Sequence, residues 1–474
     1  MTTKQFPDAL VVIFSIIILA QLASYLLPAG EYRRVDGDDT YSPCGMETAP
    51  SGARVEPDTY QRCPNVGALP WYAALTSIPT ALAGDAAQII FFVFIIGGVV
   101  RLMRATEAID AFLGWLVDRL AHRPSWLIGG MTCLFAIGAS TYGMSEEMVA
   151  LAPLMVTVCI SLRLDPVVAI GTLVAGYACG YACAAINPFS VLVAQEIAGI
   201  QAASNQIVRW SLLALFLAVS VHHLLRYAAR VAADENKSLV ADIDYAEGFE
   251  VNRDAPLTNR LIGVLLAFVG GLVLFVYGAI EHGWYLTELS AIFLGVGIVV
   301  AVVGRLAPNR TARTFVDGAG DMVGVALMIG FARSMQVMLT EAKVLDTVVR
   351  GLAEPLSELP AHVSALGMLV VQTVFNFFVP SGSGQAAVTM PIMSPLADVI
   401  GLTRETAVLA YQFGDGLTNM VIPTNGVLMA LLVIGRIPYH RWVRFVTPLL
   451  VKLYILAVIA IVAAVQFGFD APRP

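Results

Sequence analysis

An all-α polytopic membrane protein, built from two inverted copies of one helical unit plus scaffold helices, is the fold class this sequence predicts. Three observations lead there. The 474 residues are 58% hydrophobic and only 13% charged, with a mean hydropathy of +0.76. A soluble domain does not need so much apolar surface, because a globular core saturates well below that level. Apolar runs recur along the whole chain, so a cleavable leader at residues 8–28 would not account for them. Finally, residues 125–230 laid over 363–468 without gaps pair Gly129 with Gly367, Pro153 with Pro391, Gly176 with Gly414 and Asn187 with Asn425, each 238 positions apart.

A hydrocarbon core about 30 Å thick requires roughly 20 apolar helical residues to cross it. Runs of that kind lie near 8–28, 87–105, 166–199, 206–229, 260–280, 285–305, 321–342, 404–435 and 444–468. The stretches 125–162 and 362–400 are interrupted midway by small polar residues, which leaves arms too short to span comfortably. Each is expected to be a re-entrant hairpin. With Lys4 cytoplasmic, alternate crossings place Arg101, Arg104, Arg119, Arg123, Arg163, Arg226, Arg230, Arg305, Arg310, Arg313, Arg436, Arg441 and Arg444 inside. Only Arg209, Lys343, Arg350 and Arg404 fall in short outer segments. The balance predicts a bacterial inner (plasma) membrane protein with its N-terminus in the cytoplasm and its C-terminus outside. It holds only if both hairpins return to the side they entered from.

The first copy then enters from outside at residue 87 and the second from inside at 321, the inverted arrangement through which many carriers achieve alternating access. Four regions follow: 1–86, a first helix and outer loop; 87–230, the first copy; 231–320, a cytoplasmic loop and two scaffold helices; and 321–474, the second copy. Each copy reads as crossing helix, amphipathic surface helix (108–122 and 344–358), hairpin, broken crossing helix and closing helix. Cys44 and Cys63 sit in the polar outer loop, which would face an oxidising compartment, and are expected to form a disulfide. Cys133, Cys159, Cys179 and Cys183 read as packing residues in apolar helices.

Non-helical backbone at membrane depth survives only where protein or water satisfies its polar groups, so the functional site should lie at the hairpin tips and helix breaks. The first tip is Ser140-Thr141-Tyr142-Gly143-Met144-Ser145-Glu146-Glu147 and the second Pro380-Ser381-Gly382-Ser383-Gly384-Gln385. The helices break at Asn187-Pro188-Phe189-Ser190 and at Pro423-Thr424-Asn425-Gly426, the latter preceded by Asp415, Thr418 and Asn419. Ser145, Ser381 and Ser383 are also what ordinary helix caps use, and Glu146 and Glu147 are what a first turn uses against its dipole. At membrane depth, however, an ionisable side chain is expensive and points to function. Arg333, midway along 321–342, either pairs with one of these acids or meets an anionic group of the substrate. All six histidines fall near membrane edges and read as solvated or interfacial, which leaves neither a proton relay nor a metal site at the midplane. A serine hydrolase would need a base near its nucleophile, and no His or Lys is expected at that depth.

The segments Gly143-Met-Ser-Glu-Glu147, Asn187-Pro-Phe-Ser190, Ser381-Gly-Ser-Gly-Gln-Ala386, Met390-Pro-Ile-Met-Ser-Pro-Leu-Ala-Asp398 and Gln412-Phe-Gly-Asp-Gly-Leu-Thr-Asn419, with Pro28-Ala-Gly-Glu-Tyr32, resemble the YfcC-like branch of the anaerobic four-carbon-dicarboxylate carrier family. The resemblance covers nearly the whole chain. It implies the ion-transporter superfamily, with hairpins entering from each side, a scaffold-mediated homodimer and elevator movement. Branch members carry the name of basic amino-acid antiporters, and the wider family includes dicarboxylate carriers. The Ser-Asn-Thr signature of sodium-coupled relatives is absent, since Ser-Thr-Tyr stands at 140 and Ser-Gly-Ser at 381, which speaks against sodium coupling by that geometry. The expected function is therefore a secondary carrier, with no enzymatic activity, for a small charged metabolite. A basic amino acid leads, because three acids face one deep cation. A C4-dicarboxylate or other organic anion is the alternative. The expected partners are the small-molecule substrate, the lipid bilayer and a second copy of the chain. Nucleic acid, cofactor and resident metal are not expected, while a coupling H+ or Na+ is compatible with the site.

Overall fold

Two helices buried from end to end form the axis of the molecule, which is described here from a computed structural model. The structure describes residues 9–36, 39–41, 43–44, 54–56, 59–64, 69–84, 86–109, 111–112, 115, 124–141, 143–187, 189–201, 203–243, 245, 258–282, 284 and 286–469. Among these, eighteen α-helices are numbered in chain order: α1 (Ala9–Leu26), α2 (Ala73–Ala83), α3 (Ala87–Ala105), α4 (Pro124–Thr141), α5 (Glu147–Ser161), α6 (Pro166–Ala182), α7 (Val191–Ile197), α8 (Gln206–Ala233), α9 (Asn259–His282), α10 (Leu286–Val303), α11 (Pro308–Gly320), α12 (Val323–Glu341), α13 (Leu345–Ala353), α14 (Ala361–Phe378), α15 (Gly382–Val399), α16 (Arg404–Thr418), α17 (Gly426–Ile434) and α18 (Tyr439–Phe467).

The axis is α6 and α16. Asp165 starts α6 by accepting from Val168 N at 3.0 Å, with Pro166 in the first turn. Thr403 starts α16 by accepting from Thr406 N at 3.2 Å. All of α6 and all of α16 from Glu405 onward is buried, as expected for helices packed on every side. They meet where a Cβ on Gly416 would lie 2.3 Å from Ala182 N, so only glycine permits the crossing. Each is flanked by the helix two places earlier in the chain through an equivalent glycine. A Cβ on Gly176 would come 2.7 Å from Thr132 O on α4, and one on Gly414 2.8 Å from the Gln372 carbonyl carbon on α14. These are positions paired in the sequence repeat.

Around this axis two stretches run through the same succession. In the first, α4 and α5 form a helical hairpin, α6 and α7 a broken helix, and α8 a long closing helix. In the second, α14 and α15 form the hairpin, α16 and α17 the broken helix, and α18 the closing helix. Among the described residues four helices, α3, α8, α14 and α18, are long and apolar enough to cross a membrane by length and composition, and α14 in this respect departs from the expectation that the arms within 362–400 are too short to span. On α9 and α10, Leu266, Val273, Ile298 and Val302 are 63, 63, 62 and 72% exposed, an apolar face of the kind that lipid or another protein surface covers.

Residues 30–62 form two small antiparallel sheets, one pairing Gly30–Glu31 with Gln61–Arg62 and one placing Arg34–Asp36 between Asp39–Tyr41 and Arg54–Val55. A disulfide joins Cys44 to Cys63. This segment grips α13. Gly30 N donates to Lys343 O at 2.8 Å, Tyr32 N to Asp346 Oδ2 at 2.8 Å, and Arg34 pairs with Asp346 at 2.7 Å. Lys343 pairs with Glu31 at 2.8 Å, and Arg350 lies 4.6 Å over the Tyr60 ring.

Several features differ from the sequence expectation. Helix α2 lies within the stretch read as outer loop, and the amphipathic α11 precedes the second copy. Both breaks begin earlier than expected, at Cys183 and Asn419. His223, read as solvated, is buried with its ring 5.2 Å from that of Phe445. Arg209, assigned to an outer segment, is 1% exposed and ion-paired with Glu405. Most of the surface helix expected at 108–122, together with Tyr142 and Pro188, lies outside the described residues, while its counterpart at 344–358 is α13 followed by a 3-10 turn over Glu354–Glu358.

Candidate functional site

Both hairpin turns and both helix breaks converge. The first turn needs Gly143, whose φ of +85° is costly for other residues and whose Cβ would fall 2.5 Å from the Phe189 ring. Tyr181 of α6 donates its hydroxyl to Gly143 O at 2.9 Å. Tyr411 of α16 does the same at the second turn, donating to Gly382 O at 2.7 Å. Each tip is thus pinned by a tyrosine of the broken helix that follows it.

A cavity of about 80 Å³ lies between these elements. Ser145 and Glu146 line it from the first turn, Ser381 and Gly382 from the second, and Asn419 and Asn425 from the second break. Tyr177 and Tyr181 contribute from α6 and Arg333 from α12. The positive charge of Arg333 reaches Glu146 across this space. The cavity also faces two helix N-termini. Ser381 caps α15 by accepting from Gly384 N at 3.4 Å, and Asn425 caps α17 by accepting from Leu428 N at 2.9 Å. Such ends favour negative charge.

The other expected site residues divide into two groups. Ser140 and Asn187 hold the first turn against the first break, and Thr141 bonds back into its own helix. Ser140 Oγ accepts from Ala185 N at 3.0 Å, Thr141 Oγ1 donates to Ile137 O at 2.7 Å, and Asn187 Nδ2 donates to Ala139 O at 2.7 Å. In the second half, Thr424 donates to Phe377 O at 2.8 Å, Thr418 bonds Gly414 O and shares 2.9 Å with the Tyr454 hydroxyl, and Gln385 donates to Gln372 Oε1 at 2.7 Å. These side chains brace the site and do not line the cavity, and neither does the half-buried Ser383. The side chain of Glu147 lies outside the described residues.

Asp415 stands just behind the cavity. Its Oδ1 accepts from Asn419 Nδ2 at 3.0 Å, and Asn419 Oδ1 in turn accepts from Asn376 at 3.0 Å and Asn425 at 2.9 Å. Tyr177, Tyr181, Tyr411, Gln372 and Asn376 were not singled out from sequence. Tyr177 and Tyr181, like Gln372 and Asn376, stand one helical turn apart on otherwise apolar helices, a spacing that could have marked them. No group of three or more His, Cys, Asp or Glu side chains able to hold a metal ion occurs among the described residues.

The sequence profile of the DcuC family, C4-dicarboxylate anaerobic carriers, matches residues 6–466. The chain belongs to that family. As a DcuC-family protein with several long apolar helices it is a multi-pass membrane transporter. It is 29% identical over 98% of its length to YfcC of Escherichia coli (strain K12), covering 97% of that protein, whose name provisionally makes it a basic amino acid antiporter. A Haemophilus influenzae protein without a functional name is 28% identical, with 98% of both chains aligned. The crystal structure of the Alcanivorax borkumensis YdaH transporter aligns with 98% of this chain and all of its own at 16% identity, with a TM-score of 0.43.

Proposed function

We propose that this DcuC-family transporter is a secondary carrier for a basic amino acid or related amine, working by alternating access between two inverted units. The observation that carries the proposal is the cavity in which Glu146 and Arg333 face one space with two helix N-termini. A zwitterionic head group fits such a space. Its α-carboxylate would be held by Arg333 and the N-terminus of α17, and its amine by Glu146. The equivalent packing of Gly176 on α4 and Gly414 on α14 supports common descent of the two units. The orientation with the N-terminus inside rests on the Lys and Arg distribution, and the homodimer on the family resemblance and the exposed face of α9 and α10.

The second candidate substrate is a C4-dicarboxylate, favoured by the helix N-termini at the cavity and by the name of the family. Counterflow in proteoliposomes separates the two. Internal arginine or ornithine should drive uptake of the labelled amino acid, whereas stimulation by succinate and fumarate alone would overturn the amine assignment. Arg333→Ala should raise the KM for either substrate class, and Glu146→Gln only for the amine.

A further inference from the structure

The cavity has an oxygen-lined annex behind Gly382 that the substrate contacts above do not use. Asp415 is 1% exposed and Ser190 fully buried, and Asp415 Oδ2 and Ser190 Oγ have no hydrogen-bond partner among the described residues. Both atoms belong to groups that approach one point. A Cβ placed on Gly382 would lie 3.0 Å from the Phe189 carbonyl oxygen, 3.3 Å from Asp415 Oδ2 and 3.4 Å from Ser190 Cβ. The three groups come from the first helix break and from α16, and Gly382 comes from the second hairpin tip. A buried carboxylate without a counter-charge is strongly unfavourable. Asp415 makes no ion pair among the described residues, and the neutral amide of Asn419, which donates to it, does not cancel its charge. The titratable groups that feel the charge of Asp415 are Tyr177 and Tyr411, while Glu146 and Arg333 interact with one another across the cavity.

We infer that Asp415 Oδ2, the Phe189 carbonyl and Ser190 Oγ form a binding site for one monovalent cation, a proton or a sodium ion, separate from the substrate cavity. Hard oxygen donors with a single carboxylate suit such an ion, whereas soft or multivalent metals need other ligands. The ion would neutralise Asp415 and draw the first break, α16 and the second tip together. Two elements are shared with the cavity: Gly382 lines both spaces, and Asn419 lines the cavity while bonding Asp415. Occupancy of the annex therefore sets the position of groups that meet the substrate. This deepens the carrier proposal and rests on it only for treating the ion as a driving force.

The test uses the full-length protein purified in detergent, without substrate, and reads the thermal unfolding midpoint. A ligand bound only by the folded state raises that midpoint as its concentration rises. One arm titrates sodium chloride against choline chloride at fixed pH and ionic strength. The other lowers the pH without sodium. Wild type should be stabilised in one arm, which identifies the ion. The dependence should be lost in Asp415→Asn, which keeps the amide contact to Asn419, and weakened in Gly382→Ala, which fills the annex, and in Ser190→Ala. Either an unchanged dependence in Asp415→Asn or no dependence in wild type overturns the site. If Asp415→Asn does not fold, the other two variants decide, and wild-type behaviour in both overturns it. Loss of the annex with amine counterflow intact would leave the substrate assignment standing. The reverse result would leave the ion site standing.

Discussion

Removing one member of the buried Arg209–Glu405 pair should be among the most damaging changes available in this protein. Arg209 is 1% exposed and Glu405 3%. Besides their ion pair, Arg209 donates to Ser204 O at 3.1 Å, to Ala184 O at 3.1 Å and to Gln412 Oε1, while Glu405 accepts from Ser204 Oγ at 3.3 Å. Arg209→Met leaves Glu405 buried beside the Ser204 hydroxyl with its counter-charge gone, and Glu405→Met leaves a buried guanidinium bonded to neutral acceptors. Each should cost about 3–5 kcal/mol. The double variant Arg209→Met/Glu405→Met strands no charge. Ala184 O retains Gln412 Nε2 at 3.3 Å, so only the polar atoms left around the site are unsatisfied, costing about 1–3 kcal/mol. The two single effects should thus exceed the double by about 3 kcal/mol or more, far outside additivity. SDS-titrated unfolding in mixed micelles, followed by tryptophan fluorescence, measures the cycle. Additive effects, or a single variant within about 0.5 kcal/mol of wild type, would refute the assignment of this pair as a buried staple.

Gly414→Leu should fail to assemble or lose about 1–3 kcal/mol, because the added side chain meets the Gln372 backbone; expression and monodispersity in detergent report it. Reducing the Cys44–Cys63 bridge, which closes a separation of 19 residues, should destabilise the outer segment by about 3 kcal/mol, seen as faster proteolysis of residues 30–64 with the helical body intact. Asp242 sits near the N-terminal end of α18, and the hydrogen bond from Arg441 pulls its pKa down to about 2. Since the carboxyl is depressed in the folded state, its contribution is complete above the ordinary aspartate value of 3.8 and fades as pH falls toward 2. Protease protection of residues 234–245 should therefore be flat from neutral pH to about 4 and fall below it.

Periodicity and composition made the largely helical, apolar character and the positions of the helix interruptions legible, because small polar residues, Gly and Pro interrupt the apolar runs there. The cavity was legible in part. Ser145, Glu146, Ser381, Asn419, Asn425 and Arg333 line it because helix ends at membrane depth concentrate polar groups. The bracing roles of Ser140, Asn187 and Thr424 were not, since the same polar residue serves a ligand or a backbone carbonyl and local sequence does not say which. Arg209 and Glu405 escaped for another reason: a pair 196 residues apart leaves no local pattern. Helix α2 has eleven residues with Pro79 among them, too short for the length test, and α11 is amphipathic, outside any hydropathy scan.

The grip of residues 30–62 on α13 bears on the order in which the chain is made. Arg34 and Asp346, which hold one another at 2.7 Å, are 312 positions apart. Chains emerge and fold from the N-terminus onward. The outer segment therefore has its disulfide partners, 19 positions apart, available early, and can close that loop while its docking helix has yet to be synthesised. It is made early and fastened late, so a chain truncated before residue 346 would carry the Cys44–Cys63 bridge in a segment that is not yet docked.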